Sequence, residues 1–177
     1  MRNNIVFTLT GPDRIGIVEE VTQLLLEHDG NVELSRMARL GGEFAMLLLV
    51  FIPAEEVAGL SKAAESLIAQ GYQVTTSQTD QTYADQYRGW LPYQIELRGA
   101  DHEGIVHEVA HYLAQHGINI ESMDTELVRA PMSGAPLFTM TALVVVPPSQ
   151  IDQDWEAALL DVGRHLNVDI NVSAVNS

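Results

Sequence analysis

The chain contains one sequence unit twice, and this repeat limits the folds it can adopt more than any other feature. Residues 11–21 align without a gap with residues 99–109, at an offset of 88. Residues 44–53 align with residues 138–147 at an offset of 94, so the second copy carries an insertion. The insertion contains Ala130 to Pro136, whose Pro and Gly content predicts a loop. A repeat of roughly 90 residues predicts two small domains.

The hydrophobic period changes in the same order within each copy. Alternating apolar residues predict strands, and apolar residues three and four apart predict amphipathic helices. In the first copy the predicted elements are strand 5–9, helix 17–25, strands 31–40 and 43–52 joined through Gly41-Gly42, helix 54–70 and strand 72–77. In the second copy they are a strand from about Tyr93, helix 103–116, strands 118–128 and 137–146, a helix through Trp155, Leu159 and Val162, and strand 168–175.

This order predicts an α+β fold made of two ferredoxin-like (βαββαβ) domains, each an antiparallel sheet with helices on one face. The predicted domains are residues 1–80 and 92–177. Residues 81–91 are the predicted linker, because the stretch around them is polar, aromatic and without a period. Each sheet has an outer edge open to pairing, so we expect a homodimer or a larger oligomer.

Charge and composition exclude several classes of protein. The chain has 24 acidic and nine basic residues, and both copies are acidic. Because the basic residues form no cluster, we expect no direct binding to nucleic acid or to an anionic membrane. There are no cysteines, which excludes disulfides and Cys-ligated zinc. The first residues show no secretory signal, so we expect a cytoplasmic protein.

The motif Gly-x-Asp-x-x-Gly-Ile-Val occurs at Gly11 to Val18 and again at Gly99 to Val106, before the first helix of each copy. A helix N-terminus offers unpaired N–H groups and a positive dipole end, which suit the carboxylate of a small ligand. Gly16 and Gly104 either leave room for a ligand or allow tight packing of the helix on the sheet. Asp13 and Asp101 are predicted to be N-caps of their helices.

These motifs, the Gly-Asn-Val and Ile-Asn-Ile turns after the first helices, and the repeated element order resemble ACT domains. The resemblance implies ligand binding in the loop between the first strand and the first helix. The first loop carries Arg14, which can pair with a carboxylate, whereas Glu103 in the second loop opposes one. The ligand contacts implied in this way are Gly11, Pro12, Asp13, Arg14, Ile15, Gly16, Ile17, Asn31, Gly99, Ala100, Asp101, His102, Glu103, Gly104, Ile105 and Asn119.

The resemblance also implies a function: a non-catalytic regulator, without a cofactor, that senses an amino acid. Its partner would be a protein such as a transcriptional activator or a metabolic enzyme. An accessory subunit of an amino-acid or folate enzyme is the alternative. The first loop also resembles the ACT domain of formyltetrahydrofolate deformylases, but here a second ACT-like copy stands where those enzymes have their catalytic domain.

His107 to His111 matches the His-Glu-x-x-His pattern of zinc hydrolases. The aligned residues of the first copy are Glu19 to Gln23, so we predict an exposed helix face without a metal ion. His28 and His116 end the first helices, where a histidine can bond to the last carbonyl groups. Met132 and Phe138 are either partner contacts or local packing, and packing is the simpler interpretation.

Overall fold

The computed structural model describes residues 2–79, 85–130 and 134–175. The chain divides into two compact units, residues 1–85 and residues 86–177. The predicted linker, residues 81–91, lies partly outside the described residues. The first unit contains strand β1 (Arg2–Pro12), helix α1 (Ile17–Glu27), strands β2 (Asn31–Leu40) and β3 (Glu43–Pro53), helices α2 (Val57–Ala63) and α3 (Glu65–Ala69), and strand β4 (Gln73–Gln78).

The second unit repeats this order after its own first strand. It contains strand β5 (Leu91–Ala100), helix α4 (Ile105–Gln115), strands β6 (Asn119–Arg129) and β7 (Pro136–Val146), the short helix α5 (Pro148–Ile151), helix α6 (Trp155–Leu166) and strand β8 (Val168–Ala174). Both sheets are antiparallel, with strand orders β2-β3-β1-β4 and β6-β7-β5-β8. The predicted α+β fold of two ferredoxin-like domains is confirmed.

Alternation along the strands explains each core. In β1, Ile5, Phe7 and Leu9 are buried and face α1, whose buried stripe is Ile17, Val21 and Leu25. In the second unit, Ile95 and Leu97 of β5 and Trp155 of α6 belong to the core in the same way. Phe138 packs against this core, as predicted, while Met132 lies outside the described residues.

Two predicted helices differ from the structure. The helix predicted at 54–70 is divided at Ala64, which has a ψ of −14°. Just after it, the N–H of Leu67 donates to the carbonyl of Ala64, a three-residue spacing typical of a 3₁₀ turn. Ile68 therefore leaves the core face and is exposed. The apolar spacing of the predicted helix 103–116 puts Val106 on the core face, but the structure has it exposed. The buried stripe of α4 starts at Ile105, and the next residue on a helix points about 100° away.

Strand β2 is an edge strand with all ten residues exposed. It carries several large apolar side chains open to solvent, among them Leu34, Met37 and Leu40. The turn that joins β2 to β3 is the predicted one, with Gly41 at φ +63°. Among the described residues, none of the helices has both the length and the apolar character needed to cross a membrane.

Candidate functional site

The loop before each first helix ends in a glycine that starts the helix. Gly16 and Gly104 are the N-cap residues of α1 and α4, with φ of +90° and +93°. The prediction that Asp13 and Asp101 are the N-caps is therefore wrong. Asp13 lies three residues earlier, where its N–H donates to the carbonyl of Gly42 at 3.0 Å. No side chain caps either helix.

The four motif glycines have two different roles. A Cβ built on Gly16 or Gly104 would meet nothing within 4 Å, so these residues are required by their positive φ and not by helix packing. A Cβ on Gly11 would lie 2.6 Å from the Tyr72 ring, and one on Gly99 would lie 2.5 Å from Val168. Close packing therefore requires glycine at Gly11 and Gly99, whereas the space beside Gly16 and Gly104 is open.

The uncapped helix starts leave backbone donors available. The first bond from each helix back to its N-cap is donated by Glu20 to Gly16 and by Glu108 to Gly104, both at 2.9 Å. The helical residues that precede Glu20 and Glu108 include Val18 and Val106. Their N–H groups have no carbonyl of an earlier helical turn to accept them. Both valines are exposed, so a ligand can reach this part of the helix.

Arg14 is already occupied within the first loop. Its guanidinium forms an ion pair with Glu20, donates to Gln70 Oε1 at 2.9 Å, and lies over the Tyr72 ring. Gln70 in turn donates to the second carboxylate oxygen of Glu20 at 2.8 Å. The bonds from Arg14 and Gln70 lower the pKa of the Glu20 carboxyl. A ligand carboxylate that used Arg14 would compete with Glu20.

His102 occupies the same position in the second loop and reaches the end of helix α6. Its Nδ1 lies 3.0 Å from the Glu103 carbonyl oxygen, and its Nε2 lies 2.7 Å from that of Leu166. Both ring nitrogens can donate together only when the imidazole is protonated. These two carbonyl groups therefore raise the pKa of His102 above its usual value. Each loop is thus fastened to the end of the last helix of its unit, α3 or α6.

The structure brings together the loop residues of each copy, but not the two asparagines. Asn31 starts β2, whereas the first loop lies beside the other end of that strand, at Gly42. Ten residues of strand span about 30 Å. Asn119 likewise starts β6, pairing with Val145 far from the second loop. Their contribution to a ligand site in the same unit stays a prediction.

Sequence reasoning missed the partners that hold the loops. Glu20, Gln70 and Tyr72 meet Arg14 through the tertiary fold, and only the charge of Glu20 gives a sequence signal. The Leu166 carbonyl group gives no sequence signal, because every residue has a backbone carbonyl group. Ile15, at the tip of the first loop, is fully exposed, and Leu40 at the adjacent hairpin is 74% exposed.

The His-Glu-x-x-His segment lies on α4 with both histidines exposed. The rings of His107 and His111 stack at 5.9 Å between centroids. In the described part of the chain, no three His, Cys, Asp or Glu side chains are grouped to hold a metal ion. His116 Nδ1 lies 2.8 Å from the Tyr112 carbonyl oxygen, as predicted for a helix end, while His28 bonds to Glu56.

Comparison with known proteins extends the sequence resemblance. The family model of the ACT domain matches residues 3–76. A crystal structure of an unknown protein from Galdieria sulphuraria is 35% identical, with a TM-score of 0.87 over 99% of this chain and 100% of that one. A protein named as a candidate glycine cleavage system transcriptional repressor is 18% identical, with a TM-score of 0.70 over 100% of this chain and 99% of that one. No curated protein sequence matches the chain.

Proposed function

Because the chain belongs to the ACT-domain family, we propose that it is a non-catalytic regulatory protein that senses an amino acid and acts through a protein partner. The observation that carries this proposal is the pair of exposed, uncapped helix starts behind Gly16 and Gly104. Such a start binds a carboxylate through backbone N–H groups and the helix dipole. The loops supply this site twice in one chain.

The surroundings of the two loops favour a zwitterion over a simple anion. Glu19 lies in the first turn of α1, where Glu20 is already paired with Arg14, and Glu108 lies in the first turn of α4. These carboxylates oppose a second negative charge but can accept hydrogen bonds from an ammonium group. An α-amino acid carries both groups on one carbon, and it is therefore the ligand class that we assign to the loops.

The proposed process is transcriptional regulation of amino-acid metabolism, with glycine metabolism as the specific case suggested by the name of one structural relative. The acidic chain is unsuited to bind DNA itself, so the partner would be a transcriptional activator or a metabolic enzyme. We also propose that the chain forms a homodimer or a larger oligomer, because strand β2 presents an exposed apolar edge. The proposed site of action is the cytoplasm.

An accessory subunit of an amino-acid or folate enzyme is the second candidate, since a sensor could act on either kind of partner. Purification under mild conditions separates the two candidates: an enzyme subunit would retain a larger catalytic chain. A His107–His111 metallohydrolase finds little support, because the histidines are exposed and grouped with no third ligand in the described residues.

A thermal-shift screen of the full chain against the twenty amino acids and folate derivatives tests this proposal. A ligand that binds only the folded state raises stability by mass action, by about 2.7 kcal/mol at a hundredfold excess over Kd. We expect at least one amino acid to raise the melting temperature in a saturable manner. A flat response to all amino acids, with a response to a folate, would favour the second candidate.

A further inference from the structure

The second sheet has a depression on the face that points away from its helices. The depression measures about 330 Å³ and is formed by strands β5, β7 and β8. The charged and polar residues that line it, beside three apolar ones, are Glu96, Arg98, Thr139, Thr141, Asp169 and Asn171. It lies on the opposite side of the sheet from helix α4, so it is separate from the helix start proposed above as a ligand site.

The strand register arranges these side chains in two rows. Arg98 lies between Thr139 and Asp169, and Glu96 lies between Thr141 and Asn171. Residues two apart on a strand share a face and are separated by about 7 Å. The depression therefore has one positive group, Arg98, and two negative groups: Glu96 beside it on the same strand and Asp169 across from it on β8.

Glu96 and Arg98 do not form an ion pair with each other. The Glu96 carboxylate is oriented by two amides: Gln94 Nε2 donates to one oxygen at 2.8 Å, and Asn171 Nδ2 lies 3.5 Å from the other. Arg98 forms neither an ion pair nor a side-chain hydrogen bond within the described residues. The structure thus holds an oriented carboxylate next to an available guanidinium.

The first unit provides an internal comparison. The same strand positions there carry Thr8, Thr10, Ala45, Leu47, Gln73 and Thr75. None of these side chains is charged, although both sheets have the same strand order. The ferredoxin-like fold therefore does not require charges on this face, and the charged rows are specific to the second unit.

We propose that this depression is a second binding site for a small zwitterion of the α-amino acid type. Glu96 accepts hydrogen bonds from the ligand ammonium group, and Arg98 donates to its carboxylate. A charge-assisted hydrogen bond of about 2.8 Å at each end lets one α-amino acid bridge side chains about 7 Å apart. The site does not depend on the loops of either unit.

Backbone amide NMR spectra of the isotope-labelled full chain test this site separately from the loops. The probes are L-leucine and L-glutamine, with isopentylamine and 4-methylpentanoate as leucine analogues that keep only one charge. We expect at least one amino acid to shift amides of β5, β7 and β8. Arg98→Met should weaken that binding about ten- to hundredfold, the effect of losing hydrogen bonds to a charged group. Thr10→Met, at the matching position of the first unit, should leave it unchanged.

Three outcomes would overturn the proposal. The first is the absence of shifts in β5, β7 and β8 with either amino acid at about 10 mM, beyond the range of weak millimolar ligands. The second is equal binding of leucine and one of its single-charge analogues. The third is unchanged affinity in Arg98→Met, whose spectrum also shows that the chain is folded. Shifts at Gly16 and Gly104 report on the loops, so either site can fail alone.

Discussion

At the scale of single residues, the repeated glycines show how one motif combines two physical demands. Gly11 and Gly99 allow β1 and β5 to pass close to Tyr72 and Val168. Gly16 supplies a positive φ at the N-cap, where it has open space around it. The sequence predicts that these positions matter, but their separate roles depend on backbone angles and distant neighbours that no local pattern contains.

The first prediction concerns the backbone angle at the N-cap. Gly16→Ala should destabilise the folded chain by about 1 to 2 kcal/mol, because alanine is strained at positive φ. Gly42→Ala is the matched control: it also has nothing within 4 Å, but Gly42 is not among the positive-φ glycines. Urea unfolding midpoints compare the two variants. Equal midpoints would show that φ does not decide the residue at position 16.

The second prediction concerns pH. The carbonyl groups of Glu103 and Leu166 raise the pKa of His102 above its usual 6.5, with a smaller contribution from the charge of Asp101. The protonated form is thus favoured in the folded state. Its stabilising effect is complete below pH 6.5 and is lost as pH rises through the higher folded pKa. We expect the melting temperature to fall over this interval.

His102→Gln should flatten that part of the pH profile, because glutamine has no proton to lose. His107→Gln is the matched control, since His107 lies exposed on the neighbouring helix α4 without a bond to α6. Differential scanning calorimetry at pH 5.5 to 8.5, about one to two units either side of the usual pKa, measures both. A profile that changes equally in the two variants would show that His102 does not cause this pH dependence.

At the scale of elements, the hydrophobic period predicts most helices and strands, because one face of each is buried. It does not locate the break at Ala64 or the N-caps, which depend on backbone geometry within one turn. The contacts of Arg14 are also beyond it. Gln70 is 56 residues from Arg14 along the chain, and only the folded unit brings the two together.

The third prediction follows from the Arg14–Glu20 pair. Glu20→Gln should release the guanidinium, so a ligand carboxylate no longer competes with an internal one. We expect amino-acid binding at the first loop to become about threefold to tenfold tighter. An exposed ion pair contributes up to about 1 kcal/mol, and the hydrogen bond from Arg14 to the ligand carboxylate contributes more. Isothermal titration calorimetry measures the affinity. Glu108→Gln, at the matching position of the second unit, should have no such effect on the first loop.

At the scale of the whole molecule, the internal repeat predicts two units of one fold, and it does so because two copies of a sequence bury the same faces. It does not predict how units or chains assemble. Two exposed leucines lie on the edge strand β2. Leu40 is next to the first loop, and Leu34 lies further along the strand. Exposed apolar edges are usually paired or protected, which is the physical basis for expecting an oligomer.

The fourth prediction is that sedimentation gives at least twice the 19.4 kDa mass of one chain. The double variant Leu34→Lys and Leu40→Lys should weaken association at least about tenfold, because two leucines lose their burial. Leu26→Lys is the control, as Leu26 is 67% exposed but lies on α1. A single-chain mass for the unmodified protein at micromolar concentration would contradict oligomerisation.

Deleting one first-turn N–H group shows whether the backbone at the two helix starts binds an amino acid. Val18→Pro and Val106→Pro each remove one first-turn N–H, which the helix itself does not use. Val18→Ala and Val106→Ala keep it and serve as controls. Calorimetric titration uses the amino acid that stabilises the unmodified chain most.

We expect at least one proline variant to bind this amino acid about tenfold more weakly, because it loses a hydrogen bond to a charged group. Both alanine variants should bind as the unmodified chain does. Unfolding midpoints of the four variants show whether each is folded. Unchanged affinity in both folded proline variants would contradict the assignment of the helix starts as the sensing site.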